Sequence, residues 1–385
     1  MIKILEIIPH DPLVLRDNRF NNDALHMFSV DWVLPSVLGG SLRTALGKLA
    51  ARVDQQPAFS ERAEQLRKIA VVGPFPTCAC AGANGAQMLA FPVPGDALAF
   101  REGNSVTINP IRPAELPADG GCDLPKGLLP ATLMGQAAAA RAKPEPLKGF
   151  WSLDRMVTWL TNPAAQRCNA AEAVDVKPPA LDKRTHVKIN PKNQSAEEGQ
   201  LFVTQGRVFT NPLSVRVEAD ATYEMHLTGF IHPLGGERRL ASWRTTTTEV
   251  HGWDCPPEVT TALTGATKVR MVLATPALFK NGWSPGWLDS NNEGYIPDTQ
   301  VKVKLVSAII PRWQAISGWD FQQGGAKPIR RMVPAGAVYF FTVLGGDVRQ
   351  LSEKWLAPLS DLDNPGEPKG LCRNDGFGAP LWGIW

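Results

Sequence analysis

Between Arg184 and Thr204 the chain reads RTHVKINPKNQSAEEGQLFVT, and the first half of that stretch alternates strictly. Side chains along a strand point to opposite sides with period two, so Arg184, His186 and Lys188 share one face and Thr185, Val187 and Ile189 the other. A row of cations at that spacing can meet the phosphates of a nucleic acid, or it can be an ordinary solvated face. Asn190-Pro191 ends the strand, a polar tip follows through Lys192, Asn193, Gln194 and Ser195, and apolar residues return as Leu201, Phe202 and Val203. The pattern predicts a hairpin with a long polar tip and one basic face.

Other chemistry does not assemble from these residues. His10, His26, His186, His226, His232 and His251 are isolated in sequence, and none falls in a nucleophile or metal motif. Cys78-Ala79-Cys80 is half a zinc site with no second Cys/His pair at ligand spacing, so the cysteines read as reduced, packed thiols. Glu197 and Glu198 are adjacent and point apart on a strand, which argues against a metal pair. No cofactor is expected.

Glycines beside cations are the remaining signal. His232–Arg239 (HPLGGERR) is a Gly-rich turn ending in Arg238 and Arg239, and GGAKPIRR at 324–331 joins glycines to Lys327, Arg330 and Arg331. Each can neutralise phosphates or form a solvated loop. Gly376-Phe377-Gly378 precedes a strand instead of opening a helix, which excludes a dinucleotide fingerprint and leaves a sharp turn or the close approach of a nucleic-acid backbone. Arg16 and Arg19 lie in a polar, turn-rich stretch and read as exposed.

The elements that must position these residues follow from periodicity. Residues 2–8 form a strand. Leu38, Leu42, Ala45, Leu46, Leu49 and Val53 make one apolar stripe of a helix over Pro35–Val53, with Pro35 suited to its first turn. Gly39 and Gly40 weaken that helix, and make sense where another backbone, a strand or a phosphate chain, approaches closely. A short helix at 60–70, a Gly/Pro/Cys loop at 71–85, strands at 87–91 and 97–101, an irregular 110–130 and a helix at 149–160 come next. A linker over 161–181 leads to the hairpin. Strands are expected at 213–217 and 223–230, a boundary near 245–257, then strands at 268–274, 301–310, 335–341 and 381–385 with a helix at 347–355. Each half reads strand, crossover, paired strands, helix, strand, which predicts an α+β chain with a ferredoxin-like fold used twice, over 1–258 and 259–385.

A chain of 385 residues suits two domains, or one with large insertions. Its net charge of +3 is too small to coat a surface, so any nucleic-acid binding must rest on cations gathered in a groove. No apolar run approaches the roughly 20 residues of a membrane span, and the sequence opens on a strand instead of a signal peptide, so a cytoplasmic protein is expected.

In chain order, LVLRDNRF (13–20), LPSVLGGSLRTALG (34–47), the hairpin (184–204), LGGERRLASW (234–243), LATPALFKNGW (273–283), SGWDFQQGGAKPIRRMVPAGAVYFF (317–341) and NDGFGAPLWGIW (374–385) resemble the RAMP superfamily. Within it they resemble the family of the third subunit of the Cmr (type III-B) CRISPR effector complex. Residues 104–145 and 161–181 match none of these motifs and read as insertions, and removal of 104–145 is expected to spare folding.

The resemblance implies two ferredoxin-like, RRM-related domains without a catalytic centre. Proteins of this kind grip the repeat-derived 5′ handle of the guide RNA. They dock on the large polymerase/cyclase-like subunit and on the first backbone RAMP subunit of the filament, in antiviral defence. The hairpin would be the family's thumb, inserted at the junction of handle and guide, while the turn of Gly376 and Gly378 and the helix near Gly39 and Gly40 would line the interdomain cleft. The implied RNA-binding set is completed by Arg16, Arg19, Arg43, Arg184, His186, Lys188, Lys192, Arg238, Arg239, Lys327, Arg330 and Arg331. With three tyrosines in the chain and Phe202 the hairpin's sole aromatic, base stacking is expected to be a minor term. Two alternatives compete: a stand-alone RAMP endoribonuclease using His26 or His186 as general base on a 2′-hydroxyl, and a purely architectural subunit. The lack of a His–Lys–Tyr cluster and the order of the motifs favour the RNA binder.

Overall fold

The computed structural model describes residues 1–16, 26–27, 29–53, 62–80, 85–133, 143–223, 227–320, 324–363 and 369–385. The strand Ile2–Pro9 sits at the centre of the first sheet, antiparallel to Leu213–Glu218 on one side and to Leu240–Thr245 on the other. Leu213–Glu218 pairs in turn with Ala70–Ala79. Numbered along the chain, these four strands therefore lie in the spatial order fourth, first, third, second. Leu5, Ile7, Val215 and Val217 point to one face and are fully buried, as are Leu38, Leu42 and Leu46 of the helix Pro35–Val53 in the same core. The period-3.6 stripe and the period-2 strands thus cover each other, as each apolar face requires.

The same spatial order recurs in the second sheet. Lys268–Leu273 lies between Pro380–Ile384 and Val338–Gly345, and Lys302–Ile309 lies beyond the latter, all antiparallel. Val269, Met271, Val303, Leu305, Phe340, Phe341 and Trp382 fill its faces.

Several expectations are corrected. The segment predicted as a loop at 71–85 is largely a strand, Ala70–Ala79. Its Gly73, Pro74 and Pro76 argue against a strand interior, but the ladder has an irregularity between Ser214 and Arg216 that accommodates Gly73 and Pro74. Residues 149–160 begin as a strand, Phe150–Ser152, before the helix Leu153–Thr161. Of the strand predicted at 223–230, residues 224–226 lie outside the described residues, Tyr223 ends a 3-10 turn and the strand runs Gly229–Pro233; Leu240–Thr245 is an additional strand. The helix predicted at 347–355 shrinks to Gln350–Glu353 within a run of turns.

The stretch read as dispensable carries core. Strand Ser105–Pro113 pairs with Ala97–Glu102, Ala131–Leu133 and Gln166–Asn169. Its Val106 and Ile108 are buried in one cluster with Trp151, Met156 and Trp159 and with Met271 and Val303 of the second sheet. The tie is also polar. Arg270, 1% exposed, donates from Nη1 to Asp96 Oδ2 and from Nη2 to the carbonyl of Trp159, while Trp159 Nε1 donates to Asp96 Oδ1 at 3.0 Å. Burial lowers the Arg270 pKa, and the Asp96 carboxylate opposes that shift. Deleting 104–145 therefore removes a wall of the larger core.

All six cysteines are free thiols. Burial, with Asp175 nearby, pushes the Cys78 thiol up to about 11 and, with Asp363, pushes Cys372 far up, so neither is a nucleophile near neutral pH. Cys122 departs from the expected packing and is exposed. Among the described residues, no helix is long and apolar enough to cross a membrane.

Candidate nucleic-acid interface

The predicted hairpin is present and longer than its motif: Ala180–Ile189 pairs antiparallel with Ala196–Val208, Arg184 opposite Thr204 and His186 opposite Phe202. Its root is clamped. Leu13 and Arg207 exchange backbone hydrogen bonds of 2.9 and 2.8 Å, and Gly206 is buried with a Cβ position only 2.8 Å from Pro12 Cβ. Arg207 then donates to the carbonyls of Val30 and Ser29, 3.1 Å each, and pairs with Asp31 at 2.5 Å. Gly206 and Arg207 lie just past the motif and carry no periodic signal, so sequence reasoning passed over both.

Beyond the root the hairpin is exposed, and the cations of its basic face are paired within it. Arg184 Nε donates to Asp182 at 2.8 Å, and Lys188 Nζ lies 2.7 Å from Glu197. His186 hydrogen-bonds Thr204 Oγ1 at 2.9 Å and stacks on Phe202 with centroids 5.1 Å apart. Lys192 is exposed at the tip. The opposite face leaves Val187, Ile189 and Leu201 exposed.

Near the root, the bridge between Val14 and Gly236 brings the 234–239 turn beside Arg16, which pairs with Glu237. Arg238 is exposed and Arg239 half-buried in that turn. Arg19 and the side chain of His26 lie outside the described residues. These cations share one end of the first sheet with the hairpin.

Four of the predicted contacts, Arg43, Gly39, Gly376 and Gly378, belong instead to the protein's interior. Arg43, 8% exposed, pairs with Asp375 and donates to the carbonyls of Ile69 (2.7 Å) and Asn374 (3.0 Å). Gly39 is buried because a Cβ there would come within 3.1 Å of both Arg43 Nη1 and Asp375 Oδ1. Gly376 and Gly378 are buried at φ of +95° and +79°, with the Val71 carbonyl against the first and Ser360 Oγ 2.7 Å from the Cβ position of the second. The close approach inferred from these glycines is made by protein. Gly40 alone is exposed, with nothing near it.

Lys327, Arg330 and Arg331 lie in a third place. Arg330–Met332 pairs with Gln314–Ile316, Arg330 donates to the Leu362 carbonyl at 3.1 Å, and Arg331 lies over the Trp313 ring at 4.9 Å. Ile316 and Met332 pack with Leu34, Val30 and Val37, so this small sheet rests on the segment that Arg207 clamps. By contrast, a groove of about 880 Å³ is lined by Asp154, Glu249, Asp254 and Glu258 and by no lysine or arginine, which repels a phosphate chain.

A family model, CRISPR-associated protein (Cas_Cmr3), matches residues 5–385. The chain belongs to this family. Membership in Cas_Cmr3 agrees with the resemblance read from the ordered motifs. No curated protein matches the chain. Among solved structures, a chain of the type III-B Cmr-beta complex bound to cognate target RNA is similar at 14% identity and TM-score 0.45, covering 88% of this chain and 86% of that one. A chain of the same complex with target RNA and AMPPnP gives 16% identity, TM-score 0.45 and the same coverage. A chain of the Csm3–Csm4 subcomplex of the type III-A CRISPR-Cas interference complex gives 10% identity and TM-score 0.33, covering 89% and 94%. The family model alone carries the assignment.

Proposed function

We propose that this Cas_Cmr3-family chain is a non-catalytic RNA-binding subunit of a type III-B CRISPR ribonucleoprotein. In this reading it grips the repeat-derived 5′ handle of the guide RNA in the cytoplasm, docks on the large polymerase/cyclase-like subunit and on the first backbone subunit, and serves antiviral defence. The observation that carries the reading is the clamped, exposed hairpin with Arg184, His186 and Lys188 along one face. The strand order fourth, first, third, second, found twice, supports two ferredoxin-like, RAMP-type halves. Against the nuclease alternative, His186 Nε2 is engaged by Thr204 Oγ1 and the ring is stacked on Phe202, an arrangement that suits a positioned ring better than a general base.

Reversing Arg184 and Lys188 to glutamate tests the reading, with binding of repeat-derived RNA measured across a salt series. Loss of two phosphate contacts lowers the slope of log K against log salt by about 1.4, at about 0.7 per contact for single strands. An unchanged affinity and slope would take the hairpin out of the interface.

A further inference from the structure

We propose a second single-stranded RNA contact, a base-stacking platform formed by Trp313 and Arg331, with Arg312 next to Trp313 in the chain and Trp319 exposed on the following short ladder. The proposal rests on the RNA-binding reading above. It differs from the hairpin in place and in chemistry: the hairpin offers paired cations, and this surface offers half-exposed indoles, one of them with a guanidinium over its ring.

Trp313 and Trp319 are 50% and 52% exposed, although tryptophan is highly buried on average. They are not on a frayed loop. Trp313 leads into the strand Gln314–Ile316, whose Ile316 is 1% exposed and packs on Leu34, and Trp319 begins the strand Trp319–Asp320 paired with Gly325–Ala326. The rings are therefore carried by anchored backbone.

Charge selects the occupant. Residues 311–333 hold Arg312, Lys327, Arg330 and Arg331 against the single carboxylate of Asp320. The nearby Asp361 and Asp363 are engaged by backbone N–H groups of Lys280, Gly286, Gly370 and Cys372. The Arg331 guanidinium over Trp313 presents a flat cation beside a flat ring. A polymer with flat bases and an anionic backbone satisfies both, and every base has a face that can stack. Position agrees, because this small sheet and the hairpin root are seated on the same segment, Ser29 to Val37.

The test compares wild type, Trp313→Ala, Trp313→Phe and Arg331→Gln in the full chain, with labelled oligoadenylate and oligouridylate as probes. Trp313→Ala is expected to weaken oligoadenylate binding by roughly 5- to 150-fold, the range for one stacked base, while keeping the salt slope. Trp313→Phe recovers part of that loss, and wild type prefers adenylate because purines stack over more area. Arg331→Gln lowers the slope by about 0.7. Unchanged binding in Trp313→Ala, with the hairpin reversal still harmful, overturns the platform and leaves the functional reading standing. Unchanged RNA binding with loss of co-purifying subunits makes the surface a protein contact and also overturns it. Failure of wild type to bind either probe or repeat RNA removes both.

Discussion

Replacing Asp96 by alanine is expected to destabilise the protein by about 3–5 kcal/mol, read as a lowered midpoint in urea unfolding. The carboxylate is fully buried and engages two groups: the Arg270 guanidinium, whose other bond goes to the neutral Trp159 carbonyl, and the Trp159 indole N–H. Removing it strands a buried cation, and the desolvation penalty of that cation is what the measurement registers. The pair's own worth is separable. Asp96→Leu with Arg270→Met removes both charges at similar volume, and is expected to cost clearly less than Asp96→Ala alone. Equal losses in the two variants would mean that packing, and not the stranded charge, dominates. The site joins the 97–113 sheet, the helix Leu153–Thr161 and the second sheet, so its failure loosens the larger core as a unit.

Arg43→Met is the second large effect, again about 3–5 kcal/mol, because it leaves Asp375 buried without its cation and the carbonyls of Ile69 and Asn374 without donors. The variant also separates structure from recognition. Well below its unfolding midpoint it should bind RNA with the wild-type salt slope, whereas an RNA contact at Arg43 would lower that slope by about 0.7. A stable Arg43→Met with a reduced slope would restore Arg43 to the interface.

The elements legible in the sequence were those with uninterrupted periodicity. Pro35–Val53 was read to the residue because its stripe and its first-turn proline agree. The hairpin was read because strict alternation is bounded by Asn190-Pro191. Ala70–Ala79 was missed because its glycine and prolines are breakers by local rules, and only the partner strand's irregularity accommodates them. Ser105–Pro113 was obscured by its two prolines, although Val106 and Ile108 keep the period.

For the site, residue type was legible and partner was not. Arg43 and Arg184 look alike in sequence, yet one is enclosed by Asp375 and two carbonyls and the other is exposed. Gly39 and Gly376 did mark close approach, but spacing along the chain says nothing about what approaches. Trp313 and Trp319 carried no signal, since tryptophan is ordinarily core. The expectation that stacking is minor rests on the chain's three tyrosines and the hairpin's single aromatic, and takes no account of tryptophan; the exposed indoles lie more than a hundred residues further on.

The hairpin's root gives it the mechanics of a beam fixed at one end. The strand Ala196–Val208 has 13 residues and extends roughly 40 Å at about 3.3 Å per residue. Its footing covers only the root end: Pro12 and Leu13 on one side, the bonds of Arg207 to Ser29, Val30 and Asp31 on the other, and the short strand His26–Met27 paired with Val203 and Thr204. A sideways load at the tip therefore reaches the footing multiplied by the ratio of arm to base. It arrives as torque on the few residues that lead into the helix at Pro35.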